Sequence, residues 1–73
     1  MNVVIIRRTD KIWTLDKQRA DGQVEKEFFD TNPETDRNFA CVTGKTWAKR
    51  YKPCRYLEYD EADNVFEEMI YLR

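Results

Sequence analysis

The chain opens on Val3-Val4-Ile5-Ile6, an apolar run without alternation that reads as a strand continuing to Arg8. Thr9-Asp10 marks a tight turn, and Ile12 to Leu15 resumes a strand that grows polar toward Arg19. Asp21-Gly22 follows. That dipeptide predicts a type I′ hairpin turn, in which both central residues need positive φ. Gln23 to Phe29 returns as a third strand.

The pattern then changes period. Asn32-Pro33-Glu34 predicts a helix start: a capping side chain, a proline at the first helical position, and carboxylates Glu34 and Asp36 in the first turn. Phe39, Thr43, Trp47 and Tyr51 recur every four residues as one helical face, with Ala40 and Ala48 beside it. Gly44 interrupts that face at about 1 kcal/mol against alanine, so either the helix kinks there or residues 39–43 form something else. Lys49, Arg50 and Lys52 suit a helix C-terminus, and Pro53 ends it. Tyr56 to Tyr59 and Val65 to Leu72 predict two more strands, joined by the acidic turn Asp60-Glu61-Ala62-Asp63-Asn64. The expected fold is α+β and a single domain over residues 1–73. It comprises a small antiparallel sheet of four to five strands, in chain order β-β-β-α-β-β, packed on one helix over about 33–51. Phe39 and Trp47 are expected to be buried against that sheet.

One helix covers one sheet face, so the strands should alternate apolar and polar. Val3 to Ile6, Phe28-Phe29, Val65-Phe66 and Met69 to Leu72 are instead apolar on both sides. Either the sheet curls as small barrels do, or its second face is covered by another copy or another protein. The residues expected on such an interface are Val4, Ile6, Met69 and Tyr71.

Composition narrows the class. Charged residues make up 37% of the 73 and mean hydropathy is −0.86, yet 14% are aromatic and there are only two glycines and two prolines. That favours a folded domain with a polar surface over a disordered chain. A net charge of −1 disfavours a histone-like or polybasic arm and, equally, a uniformly acidic mimic of DNA. The charge is nevertheless segregated: residues 1–20 carry +3, 21–36 carry −5, 37–56 carry +6 and 57–73 carry −5. No run approaches the roughly 18 apolar residues of a membrane helix, and the N-terminal order of apolar then basic residues is the reverse of a signal peptide. A cytoplasmic protein is expected, with Cys41 and Cys54 as reduced thiols.

Residues that carry chemistry are sparse. Thr43-Gly44-Lys45-Thr46 looks like the end of a phosphate-binding loop, but the position five before Gly44 is Phe39 where that loop needs glycine. With no histidine, neither thiol has its usual base, the two cysteines lack C-x-x-C spacing, and no zinc site can be completed. Carboxylates such as Glu25 and Glu27 share one strand face, as expected of solvated strands in a chain with 14 acids. No catalytic residue, metal or cofactor is expected; the competing enzymatic class is a His-free, ribonuclease-like toxin. Trp47 to Tyr56 interleaves aromatics with cations, and the expected contact surface is Lys45, Lys49, Arg50, Lys52 and Arg55. In size, composition and element order the chain resembles the small single-domain proteins of bacteriophages and mobile elements. Some of those are anti-CRISPR or other anti-defence inhibitors that bind a host complex and block it. The resemblance implies a non-enzymatic inhibitor that occludes a host protein or ribonucleoprotein complex. The alternatives are a nucleic-acid-binding module using residues 45–56, and a homodimer; no membrane partner is expected.

Overall fold

A computed structural model describes residues 1–9, 12–30 and 36–73. The elements are β1 (Asn2–Thr9), β2 (Ile12–Gln18), β3 (Val24–Asp30), α1 (Asp36–Arg50), β4 (Cys54–Tyr59) and β5 (Val65–Tyr71). The fold is α+β, in the chain order the sequence implies. Asp10 and the helix-start signal Asn32-Pro33-Glu34 lie outside the described residues.

The five strands form one sheet in the order β3-β2-β1-β4-β5. It is mixed rather than antiparallel: β1 and β4 are parallel neighbours, with Asn2 beside Cys54 and Ile6 beside Glu58. Two successive hairpins bring β3 into the direction of β1, and α1 then carries the chain back along the sheet. A strand reached by such a helical crossover starts from the same end as the one it joins, which makes the pair parallel.

The β2–β3 hairpin differs from expectation in one detail. Arg19 N–H donates to the Gln23 carbonyl at 2.8 Å and Gly22 N–H to the Arg19 carbonyl at 3.0 Å, which closes a three-residue loop, Ala20 to Gly22. Only Gly22 has positive φ, at 93°, so this is not a type I′ turn but a three-residue loop ending in a left-handed residue. The β4–β5 loop repeats the design: Asp60 N–H donates to the Asn64 carbonyl at 2.9 Å, and Asp63 takes the left-handed position at φ 61°. The Asp60 carboxylate accepts from Ala62 and Asn64 N–H, both at 2.9 Å, and fixes that loop from inside.

The core lies between α1 and one sheet face. Val4, Ile6, Trp13, Leu15, Cys54 and Tyr56 rise from the strands to meet Ala40, Cys41 and Ala48 of the helix. The helix runs unbroken through Gly44. Gly44 serves the packing: a Cβ on it would sit 2.9 Å from Leu15 Cδ1, 3.0 Å from Val4 Cγ1 and 3.1 Å from Ile6 Cδ1. Large strand residues leave room only for small helical ones, so Ala40, Gly44 and Ala48 face the sheet. The i+4 series of bulky residues is rotated away to the rim. Phe39 is therefore 63% exposed, not buried, while Trp47 packs half-buried against the edge of the core. No helix among the described residues is long and apolar enough to cross a membrane.

Candidate functional site

Three places in the fold gather unusual side chains, and the first is the basic segment. Its five cations do not form one patch. Lys45, on the inner side of α1, pairs with Glu67 of β5 at 3.0 Å, and that hydrogen bond raises its ammonium above the ordinary 10.5. Arg55 lies on the opposite sheet face, because it alternates with the buried Cys54 and Tyr56, and its Nε donates to Glu68 at 2.6 Å. Both are absorbed by the acidic hairpin. Lys49, Arg50 and Lys52 remain exposed at the C-terminal end of α1, and no described acidic residue lies within ion-pair distance of them. Lys49 and Arg50 also answer the partial negative charge of the last helical turn.

This end of the domain is well braced. Asn2 Nδ2 donates to the Tyr51 carbonyl at 2.8 Å, while its Oδ1 accepts from Ala20 N–H at 2.8 Å, so one side chain ties β1, the β2–β3 loop and the end of α1. The Trp47 and Tyr51 rings lie 4.7 Å apart, and the Arg19 guanidinium approaches the Tyr51 ring at 5.5 Å. Between them runs a shallow groove of about 270 Å3 lined by Asn2, Arg19, Asp21, Trp47 and Tyr51. Arg19 also stands 3.8 Å from Glu25.

The second place is the face of the sheet that α1 leaves open. Val4 and Ile6 were expected there and are fully buried in the core instead; Met69 and Tyr71 share their helix side, with Tyr71 packed against the core. The reason is parity. When a strand is apolar at every position, its composition cannot say which set faces inward, and a one-residue shift exchanges the faces. The open face carries Val3, Ile5, Leu57 and Ile70, with Val24, Phe28 and Val65 toward its edges.

The third place is internal. Glu58, separated by one residue from the acidic turn, is 2% exposed. Its Oε1 accepts from the Cys41 thiol at 3.1 Å and from the Tyr56 hydroxyl at 3.2 Å. Burial, together with the neighbouring thiol and carboxylate, pushes the Tyr56 phenol far above its ordinary value. A carboxylate removed from water needs such donors, or it destabilises the fold by its lost hydration. Cys54 is also buried, which raises its thiol. Strand alternation was the signal available for Glu58, since it shares parity with Cys54 and Tyr56. Among the described residues no group of three His, Cys, Asp or Glu side chains is placed to hold a metal ion.

Fold and surfaces together define a small α+β domain of one helix on a mixed five-stranded sheet, with a basic end and an uncovered sheet face. No protein-family model matches the chain, and neither a curated protein nor a solved structure matches it.

Proposed function

We propose that this chain is a non-catalytic binding protein that covers an acidic surface of its partner, an inhibitor of the anti-defence type that occludes a host protein or protein–nucleic-acid complex. The observation that supports this reading is the trio Lys49, Arg50 and Lys52: exposed cations at one end of the molecule, without acidic neighbours among the described residues. Lys45 and Arg55, from the same segment, are each paired at the surface with a β5 carboxylate, Glu67 and Glu68, which leaves the trio as the stronger source of uncompensated charge. Uncompensated charge at one pole steers encounter with an opposite field and weakens with salt.

A nucleic-acid partner is the second reading, favoured by the aromatic pair beside those cations. Single-strand binders stack bases on open ring faces. Here the Tyr51 ring already has Trp47 and Arg19 against it, which leaves charge as the main attraction and ranks the acidic protein surface first.

The test is capture of the tagged chain's partner from host lysate, with and without nuclease, using the wild type and a Lys49→Glu, Arg50→Glu variant. Binding should be nuclease-resistant and should fall at least about tenfold in the variant, most steeply at low salt. A Lys49→Gln, Arg50→Gln pair checks that loss of helix-end charge has not itself unfolded the domain. Undiminished binding by the reversal variant in low and high salt alike would move the contact surface elsewhere.

A further inference from the structure

The sheet face away from α1 has a specific internal order. From β3 to β5, its central row reads Lys26, Asp16, Ile5, Leu57, Glu68. On one side of this row, Val24 of β3 and Ile70 of β5 occupy the two edges; on the other side, Phe28 and Val65 do. These edge residues are well exposed, Phe28 at 66% and Ile70 at 55%. Each cation on the face has an acidic neighbour: Lys26 and Asp16 at 3.9 Å, Arg7 and Asp63 at 3.9 Å, and Arg55 with Glu68. The face thus has a partly exposed Ile5 beside a buried Leu57 at its centre and exposed apolar residues at its edges, and its described charges stand in pairs of opposite sign. A strongly charged partner gains nothing there, and a copy of the same face is not repelled.

We propose that this face binds a second copy of the chain, in a two-fold dimer whose axis runs along the central strand β1. With the strands of the two copies aligned, the charges decide between the two axes that can lie in the interface, one across the strands and one along them. An axis across the strands lays each residue of the central row on its own copy, Lys26 on Lys26 and Glu68 on Glu68. An axis along β1 lays β3 of one subunit over β5 of the other. Lys26 then faces the partner's Glu68, twice in the dimer, and Val24 faces the partner's Ile70, Phe28 the partner's Val65, and Ile5 its own copy. Isologous interfaces are self-complementary in this sense, and mismatched like charges are what they avoid. Arg7 meets its own copy near the axis, and there its guanidinium is held aside, 4.5 Å over the Tyr59 ring.

The same axis keeps strand direction unchanged, so both subunits point the Lys49–Arg50–Lys52 end the same way. The dimer presents that basic trio twice on one side, which suits an extended anionic partner bound at two points. That consequence rests on the binding role proposed above; the dimer itself does not, and it is measured without any partner.

Light-scattering mass of the purified chain from low to high micromolar concentration should approach two chains. Lys26→Glu and Glu68→Lys should each weaken association at least about tenfold, and combining them should restore it to within a few-fold of wild type. Ile70→Lys, at an exposed edge, should give a monomer with unchanged far-UV circular dichroism. A mass of one chain at high micromolar concentration overturns the dimer. A double charge swap that associates no better than the single variants overturns the axis along β1.

Discussion

At the scale of single residues, the two hairpin loops share one backbone and differ in who takes the left-handed position. Gly22 adopts φ 93° without a side chain to object, and Asp63 adopts φ 61° with one. A Cβ added at Gly22 would touch nothing within 4 Å, so only its backbone resists substitution. Gly22→Ala should therefore lose about 1–2 kcal/mol, the cost of an L-residue in this region. Asp63→Gly should be neutral or gain up to about 1 kcal/mol, since the exposed pair it gives up with Arg7 is worth little. Urea titrations of the two variants check the pair of signs. Equal loss from both would mean that the Asp63 side chain holds the loop by something other than its dihedral.

At the scale of elements, α1 shows where periodicity informs and where it misleads. A repeat of four made a helix legible, and Pro53 with the basic last turn located its end, which the structure puts at Arg50. The face was read from the largest residues, Phe39, Thr43, Trp47 and Tyr51. The sheet beneath is already filled by Val4, Ile6, Leu15 and Tyr56, and it admits the smallest ones instead. Gly44→Ala tests this. Helix propensity alone favours alanine by about 1 kcal/mol, but the new methyl would press on three buried side-chain tips at 2.9 to 3.1 Å. We expect a net loss of about 1–3 kcal/mol, as in other overpacked cores. A more stable Gly44→Ala protein in thermal melts would show that α1 can lift away from the sheet.

Over the whole molecule, three buried or paired groups set one pH response. The Cys54 thiol and Tyr56 phenol are pushed above their ordinary 9.0 and 10.0 chiefly by burial, and Lys45 above 10.5 by its hydrogen bond to Glu67. In each case the unfolded chain gives up its proton first as pH rises. The folded chain then binds more protons than the unfolded one, and stability falls with pH in that window. Nothing from these groups acts below about pH 9, so the melting temperature should be level with respect to them near neutrality and drop progressively from pH 9 through 10.5 and beyond. Melts between pH 7 and about 11 measure it, and a level curve to the alkaline end would contradict the burial of Cys54 and Tyr56.

Local signals determined the element inventory. Short-range chemistry, such as a positive-φ glycine, a basic helix end or a β-branched run, acts within a few residues and is written in adjacent letters. Five strands, one helix and their order were readable for that reason, as was the segregation of charge along the chain. Tertiary structure decided which side of each element faces inward and which charges meet. Val3 and Val4 are the same residue type in one apolar run; only the register with β4 and the seat of α1 put Val4 in the core and Val3 on the open face. The basic segment divided in the same way, Lys45 of α1 and Arg55 of β4 being paired with Glu67 and Glu68 on β5, and Lys49, Arg50 and Lys52 left at the helix end. The parallel pairing of β1 with β4 and the contact of Glu58 with Cys41 also join residues far apart along the chain. Such contacts depend on the summed packing of all elements, which no single stretch of sequence encodes.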